Sequence, residues 1–384
     1  MLPPLKAVMI AAEWMWRLRP GMNRLRIFTC PQIRFHPNKI RGKSKQHFHL
    51  FQNGMDSKNK SMIIPVAGGK GGTGKSFFTA NLGIALTRLG YNVLVIDLDL
   101  GGSNLHSYLG VPNRFPGIGD YIKARSARFE ELIIPTGIEN LNFIPGDGQT
   151  PFMANIAYAQ KLKLIRSIQK MQADYILLDL GAGSGYNTLD FFAVTRRGLM
   201  ITTPDFPAIM NSMVFFKNFV LRRIERTVRR NLQAKEYLQS VFKLPMGEEN
   251  IQVGKIFDDL AEISTELADK AKKECSRYQP LMIYNMVEQP DDMKAVSKID
   301  SNLKNRLQLE VNHIGFIPYA KEAMASVRRR EVFFPHYEKS PAARLIMLIA
   351  KRIVQIGQAH VENSTEIVLQ DAKKYFRLNP DITR

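Results

Sequence analysis

The chain has 384 residues, of which 45% are hydrophobic, and its formal net charge is +19. That length is sufficient for a large core, so we expect one α/β domain with additions. The two cysteines, Cys30 and Cys275, exclude a disulfide framework and indicate a reducing compartment. No apolar stretch of the sequence is long and uncharged enough to span a bilayer. A basic chain tends to meet polyanions, such as nucleic acid or an anionic membrane surface.

The first 54 residues differ in composition from the rest of the chain. They hold ten Lys/Arg and one acid, Glu13, and they show scattered Pro without a sustained period. An Arg-rich, acid-poor N-terminus is typical of a transit peptide, and a basic arm that binds nucleic acid is a second interpretation. We favour a third, in which residues 1–54 are a disordered leader ahead of a translation start at Met55.

A glycine-rich loop follows the first apolar run, Met62 to Ala67, which has the length of a buried strand. The loop matches the P-loop pattern G-x-x-x-x-G-K-[ST] between Gly69 and Ser76, where a helical pattern opens. Glycine lets several backbone N–H groups point at one polyphosphate, and the helix N-terminus adds a partial positive charge. Lys75 is expected on the β/γ-phosphates and the Ser76 hydroxyl on Mg²⁺. The predicted ATP-binding residues of this segment are Gly69, Gly71, Gly72, Thr73, Gly74, Lys75, Ser76 and Phe77.

The loop carries a second lysine, Lys70, in the string KGGTGKS. This string resembles the deviant P-loop of the MinD/ParA family of dimeric ATPases, and the resemblance extends from about Met62 to Gly357. It implies that Lys70 is catalytic in trans, because the first lysine of that family reaches the partner's phosphates across a nucleotide-sandwiched dimer. The segment that begins at Met55 is similar to the usual start of such chains. With only two cysteines, we expect no iron–sulfur cluster of the kind that some relatives hold.

Two acids follow the next predicted strand, Asn92 to Ile96, at the strand end where ligands bind in parallel sheets. The segment IDLDLGGSNL resembles the switch I of the family. The resemblance implies that Asp99 orients the attacking water, that Asp97 supports the Mg²⁺ shell and that Asn104 helps to position the segment. The alternative is that the two acids are simply solvated at a strand end.

A third acid, Asp179, follows a predicted strand over Tyr175 to Leu178 and resembles a Walker B residue that reaches Mg²⁺ through water. The glycines after it, from Gly181 to Gly185, suit a switch II segment that passes close to the γ-phosphate. We also predict a strand over Phe143 to Pro145, a helix over Ala159 to Gln172 and a strand over Leu199 to Thr203.

The next part of the sequence, residues 219–280, is longer than the crossover that this architecture needs, and we predict a helical insertion there. Helical spacing places four of its arginines near one face, namely Arg222, Arg226, Arg229 and Arg230. One interpretation is a docking face for DNA phosphate, anionic lipid or an acidic partner. The other is an ordinary solvated helix face.

The last predicted strands are Pro280 to Tyr284 and His313 to Pro318. By resemblance, Asn285 hydrogen-bonds the adenine, for which an amide is chemically suited, and Pro318 packs near the base. The arginines of the following segment, Arg328, Arg329 and Arg330, either contact a dimer partner or polyanion or sit as favourable cations at a helix C-terminus. We predict a final core helix up to Gly357 and a polar tail over residues 358–384.

These observations predict a doubly wound α/β P-loop NTPase domain over residues 55–357, with a mostly parallel sheet. The resemblance implies that this domain is of the SIMIBI type. The resemblance, closest to MinD-like flagellar and cell-positioning ATPases, implies a cytoplasmic ATPase that uses ATP and Mg²⁺. It also implies an ATP-dependent homodimer, a regulatory protein activator, and DNA or an anionic membrane as candidate surfaces, at the nucleoid or the inner membrane. The implied roles are flagellar placement, division-site choice and chromosome or plasmid partition. The alternatives are a metabolic P-loop ligase or synthetase and a non-hydrolysing ATP-dependent adaptor.

Overall fold

The computed structural model describes residues 14–17, 24–29, 61–123, 128–146, 156–243, 252–357 and 359–380. The chain divides into two units, of which the smaller comprises residues 1–60 and 356–362. In the smaller unit, strand β1 (Trp14–Arg17) pairs antiparallel with β2 (Arg24–Thr29), and β2 pairs with a short C-terminal strand. The remainder of the predicted leader lies outside the described residues, so its disorder stays a prediction.

An eight-stranded sheet forms the centre of the larger unit. Its strands are β3 (Met62–Ala67), β4 (Val93–Leu98), β5 (Ile134–Pro135), β6 (Leu141–Ile144), β7 (Tyr175–Leu180), β8 (Leu199–Thr202), β9 (Leu281–Val287) and β10 (Asn312–Pro318). The strand order is β10-β9-β8-β3-β7-β4-β6-β5, and only β5 runs antiparallel to its neighbour. β3, β4 and β7 are apolar along almost their whole length because helices cover both faces of a parallel sheet. This confirms the predicted doubly wound, mostly parallel fold.

The order of the strands places the glycine loop at the middle of the sheet. β3 lies between β8 and β7, and β4 lies beyond β7, so the carboxyl ends of β3, β7 and β4 are adjacent. Asp97 on β4 stands directly opposite Asp179 on β7 in the pairing register. The sheet therefore brings three segments that are far apart in the sequence to one edge.

The helices of the described residues alternate with these strands. They are α1 (Lys75–Arg88), α2 (Leu105–Tyr108), α3 (Ile118–Ile122), α4 (Tyr158–Ile168), α5 (Tyr186–Phe192), α6 (Phe206–Val228), α7 (Leu232–Lys243), α8 (Val253–Ile263), α9 (Thr265–Ser276), α10 (Ala295–Leu307), α11 (Lys321–Arg329), α12 (Phe333–His336), α13 (Pro341–Ile356) and α14 (Ser364–Leu378). Two 3₁₀ helices span Phe129–Leu132 and Pro290–Lys294, and the last strand is β11 (His360–Val361). None of the helices in the described ranges is long and apolar enough to cross a membrane.

The predicted insertion consists of helices, but it does not begin where the sequence suggested. The boundary at residue 219 falls inside α6, a single helix of 23 residues that starts directly after β8. The four arginines that the sequence placed near one face also lie in two different environments. Arg222 and Arg226 turn to the buried carboxylate of Asp190, whereas Arg229 and Arg230 lie beyond the helix end and are exposed.

The region expected as a polar tail contains α14, which packs in the core. Val368, Ala372 and Phe376 are buried, and the ring of Phe376 lies 6.1 Å from that of Phe316 on β10. Spacing by four residues places the three apolar side chains on one helix face. Residues 364–378 therefore belong to the larger unit and not to a polar tail.

Candidate nucleotide-binding site

The loop between β3 and α1 has the backbone that the glycine pattern predicts. Gly72 and Gly74 adopt φ values of +85°, and Gly74 directly precedes the first residue of α1. A Cβ at Gly69 would lie 2.5 Å from the carbonyl carbon of Asn211 on α6, so only glycine fits there. The loop thus passes close to α6 and turns sharply into the N-terminus of α1, which is the arrangement that binds phosphate.

A cavity of about 390 Å³ opens above this loop. Its lining includes Lys70, Gly71, Gly72, Thr73, Gly74, Lys75, Ser76, Asp99 and Asn104. The structure therefore brings together the predicted phosphate-binding loop and the predicted water-orienting acid. Gly69 is not one of the lining residues, and it permits the close contact with α6.

Lys75, which lines the cavity, forms an ion pair with Asp179. The Lys75 Nζ lies 3.6 Å from the Asp179 Oδ1, and both side chains are buried. The Thr79 hydroxyl donates to the same oxygen over 3.1 Å, and the Ser76 hydroxyl also hydrogen-bonds the carboxylate. Burial raises the pKa of Asp179, although the Lys75 ammonium acts in the opposite direction. The second oxygen, Oδ2, is buried and has no hydrogen-bond partner.

Asp97 holds the segment that follows β4. Its Oδ2 accepts from the Ser103 hydroxyl at 2.5 Å and from the Leu105 backbone N–H at 3.2 Å, and its Oδ1 accepts from the Asp99 N–H at 3.0 Å. Burial and the neighbouring charge of Asp179 raise the pKa of Asp97 to about 7, despite these three bonds. Asp97 is thus the anchor of the loop that carries Asp99 to the cavity.

This donor set fits a magnesium ion. Two carboxylates lie side by side on neighbouring strands, and among the described residues only one ammonium group, that of Lys75, lies within ion-pair distance of them. The unpartnered oxygen of Asp179 is an acceptor that a metal-bound water would satisfy. The Ser76 hydroxyl lines the same cavity. Ser76 and Asp179 are therefore the better placed of the predicted metal residues, whereas the oxygens of Asp97 already accept three bonds.

The side chains of three other predicted ligand residues are buried. The ring of Phe77 packs against Phe333 at 5.0 Å and is buried. The Asn285 amide donates to the Thr73 carbonyl over 2.9 Å and is 4% exposed. Pro318 is buried at the end of β10. The contact of Asn285 braces the phosphate loop from β9, and the adenine contacts of Asn285 and Pro318 stay predictions.

One wall of the cavity is formed by residues that were not predicted from the sequence to lie at the nucleotide site. Besides the loop and the acids, Tyr108, Val327, Arg330 and Glu331 line it. Arg330 was noted for its charge, but its left-handed backbone, with φ +56°, carries it past the end of α11 to the site. Cations at a helix C-terminus were one of the two sequence interpretations of this residue, and that pattern does not specify where the chain turns after the helix.

Comparison with known proteins agrees with this geometry. The model of the family described as "CobQ/CobB/MinD/ParA nucleotide binding domain" matches residues 64–333. The septum site-determining protein MinD of Thermotoga maritima is 34% identical over 151 residues, which are 39% of this chain and 55% of that protein. The flagellum site-determining protein YlxH of Helicobacter pylori is 34% identical over 165 residues, 42% of this chain and 55% of that protein. The chain thus spans about half the length of the curated relatives it matches.

Solved structures show the same fold. The MinC:MinD cell division protein complex of Aquifex aeolicus contains a chain that covers 77% of this one and 96% of its own length. The TM-score is 0.51 at 23% sequence identity, so this likeness concerns the fold alone. Together with the family match, it confirms the resemblance that the string KGGTGKS indicated.

Proposed function

Because this chain belongs to the CobQ/CobB/MinD/ParA nucleotide-binding domain family, we propose that it is an ATPase that acts as a dimeric molecular switch. It binds ATP with Mg²⁺ and hydrolyses the nucleotide slowly when two copies pair. The observation that carries the proposal is the single cavity in which the loop from Lys70 to Ser76 and the carboxylate of Asp99 face each other. Phosphoryl transfer to water needs both parts, because the phosphates must be held and the water aligned.

Each residue of the cavity has a definite task under this proposal. The N–H groups at the start of α1 and the Lys75 ammonium hold the phosphate oxygens. Asp99 aligns a water with the γ-phosphorus, so that the new P–O bond forms as the bond to the β-phosphate oxygen breaks. Mg²⁺, held through the Ser76 hydroxyl and Asp179, would neutralise charge on the phosphate oxygens. Asp97 keeps Asp99 at the cavity through the hydrogen bond to its N–H.

Lys70 is suited to act on a second copy of the chain. It lies at the tip of the loop, is exposed and lines the mouth of the cavity. A hydrogen bond from Thr203 and the charge of Lys70 lower the pKa of Asp205, the residue that precedes α6. An exposed lysine at the mouth of a phosphate site reaches outward more readily than a buried one, so a partner's phosphates are its natural target.

The cellular role that we propose is spatial organisation of the cell. The relatives named above are site-determining proteins of the septum and of the flagellum, and flagellar placement is the role that we favour. In such a switch, the ATP-bound dimer engages a surface or a regulatory protein, and hydrolysis releases it. The alternative function, a metabolic ligase, differs in its phosphoryl acceptor. A ligase transfers the phosphoryl group to a substrate, whereas the switch transfers it to water.

The first experiment measures phosphate release from ATP by the full chain with Mg²⁺. Asp99→Ala is expected to reduce turnover about 100-fold, because the water loses its aligning carboxylate, while ATP still binds. Lys75→Ala is expected to abolish ATP binding itself. Asp291→Asn, an exposed substitution in the 3₁₀ helix Pro290–Lys294, serves as the control and should leave both unchanged. Unchanged turnover in Asp99→Ala would refute the proposed mechanism.

The second experiment concerns pairing. Sedimentation or light scattering with a slowly hydrolysed ATP analogue should show a dimer, and Lys70→Ala should weaken that dimer and slow hydrolysis. Lys294→Ala removes another exposed lysine and should do neither. A chain that stays monomeric with bound nucleotide would overturn the dimeric switch, and a dimer that forms without any phosphate release would favour the non-hydrolysing adaptor.

A further inference from the structure

A second cavity, of about 650 Å³, lies between the end of α6 and the helix α9. We call it the basic cleft. Its lining comprises five arginines, two lysines, one glutamate and one threonine. The residues of the two helix regions that the argument uses are Arg226, Arg229, Arg230, Lys270, Lys273 and Arg277.

The positive charge of the basic cleft is largely uncompensated. Arg226 pairs with Asp190 at 3.0 Å, and Arg277 pairs with Glu274 at 3.2 Å. In the described part of the chain, Arg229, Arg230 and Lys273 have no carboxylate within ion-pair distance, although all three side chains are exposed. Cations that face one another across a concave surface repel, and the concavity focuses their field. The field of these cations therefore attracts an anion of high charge into the basic cleft.

The shape and chemistry of the basic cleft restrict the anion. Among the described residues that line it there is no aromatic or aliphatic side chain, so it lacks a stacking platform for unpaired bases and an apolar wedge for a bilayer. Duplex DNA presents its phosphates on the outside of a convex rod. Such a rod contacts the rim of a cleft but does not reach the residues inside it. A volume of about 650 Å³ is instead that of a small-molecule site.

We propose that the basic cleft binds a small soluble compound that carries several adjacent phosphate groups. Arginine forks hold phosphate oxygens in pairs, and the lysines supply point charges at the opposite wall. Arg229 and Arg230 approach from the end of α6, and Lys273 approaches from α9, so neighbouring phosphates are held from two sides. This site is separate from the nucleotide cavity, and its lining shares no residue with that cavity.

The test uses inorganic tripolyphosphate as the probe and isothermal titration calorimetry as the measurement. Because the P-loop is itself a polyphosphate site, the parent protein for this experiment is the full chain with Lys75→Ala. In this background, tripolyphosphate is expected to bind at one site. Adding Arg229→Ala and Arg230→Ala together should weaken the binding at least tenfold, and Lys273→Ala should weaken it by a smaller factor. Both arginines are exposed, so their replacement leaves the core intact.

A matched control removes the same charge elsewhere. Lys255→Ala with Lys294→Ala deletes two lysines whose side chains are 76% and 75% exposed. This variant should bind tripolyphosphate as the parent does. Equal binding by the parent and the double arginine variant would overturn the proposal, and so would an equal loss in the control, which would indicate net charge alone.

Two further arms address the other polyanions. A 24-bp DNA duplex and vesicles of phosphatidylglycerol with phosphatidylcholine are titrated into the same variants. The small-molecule assignment is refuted if Arg229 and Arg230 are needed for the binding of duplex or vesicles but not for the binding of tripolyphosphate. Circular dichroism melting of each variant accompanies the titrations. Should the double variant unfold, Lys273→Ala on the exposed side of α9 decides the outcome by the same criterion.

Discussion

Replacing Asp190 by asparagine should destabilise the chain strongly, because this carboxylate is the common partner of several cations. Its side chain is 1% exposed, and the Lys161 Nζ lies 2.5 Å from its Oδ2. Three arginines, Arg222, Arg223 and Arg226, approach Oδ1 at 3.4, 3.7 and 3.0 Å. Asparagine has almost the same volume, so the substitution removes the charge without leaving a cavity.

The expected magnitude follows from the burial of the partners. Lys161 is 4% exposed and Arg223 is 7% exposed, so neither can recover its charge solvation by turning to water. Loss of one member of a buried ion pair costs about 3–5 kcal/mol, because the remaining charge stays uncompensated. Burial alone would raise the pKa of Asp190, yet hydrogen bonds from Lys161 and Arg222 lower it. The stabilisation is thus present above the ordinary value of 3.8 and is lost as the pH falls below it.

Urea unfolding at neutral pH, followed by circular dichroism, measures this effect. With a slope of about 3 kcal/mol per molar, the midpoint of Asp190→Asn should fall by about 1 M or more. Asp291→Asn is the matched control, since its carboxylate also pairs with a lysine but is 65% exposed, and exposed pairs contribute about 0–1 kcal/mol. A loss in Asp190→Asn no larger than that in the control would refute the reasoning.

Two further predictions concern other parts of the core. Burial alone would raise the pKa of Asp300, but its neighbours His313, at 3.5 Å, and Lys304, at 2.9 Å, lower it to about 2. The free energy of unfolding should therefore fall as the pH drops from about 4 to 2, and Asp300→Asn should flatten that dependence in urea titrations across this range. A dependence as steep in the variant as in the unmodified chain would contradict the assignment. Phe376→Ala should lower the free energy of unfolding by about 3–5 kcal/mol, because it empties a buried ring site, whereas the exposed Leu378→Ala should change it little. Equal effects of the two substitutions would mean that α14 is not part of the core.

Local patterns predicted the phosphate loop and its surroundings well. A strand, a glycine loop and a helix in sequence form one local unit, so the order of residue types from Met62 to Asn81 is sufficient to predict it. Helix α1 spans Lys75–Arg88, and Gly90 follows its end with a φ of +93°, a backbone conformation in which glycine commonly ends a helix. The acids Asp97 and Asp179 were likewise placed at a sheet edge because parallel strands end on one side.

Contacts between distant segments were not predictable in the same way. The Asn285 amide meets the Thr73 carbonyl across a separation of 212 residues. Arg222 lies 32 residues from Asp190, and the helical spacing alone pointed it to solvent or a ligand. Such pairings depend on which helix faces pack together, which is a property of the assembled layers and not of a local window.

The amino-acid sequence by itself determined the fold class, the family and the chemistry of the phosphate loop, because each depends on residue types at fixed short spacings. Only the tertiary structure decided which charges are compensated. It buried Asp190 among four cations and left Arg229, Arg230 and Lys273 facing an open cleft. The physical reason is that the energy of a charge depends on its burial and on neighbours from other elements, and both arise only when the helices close on the sheet.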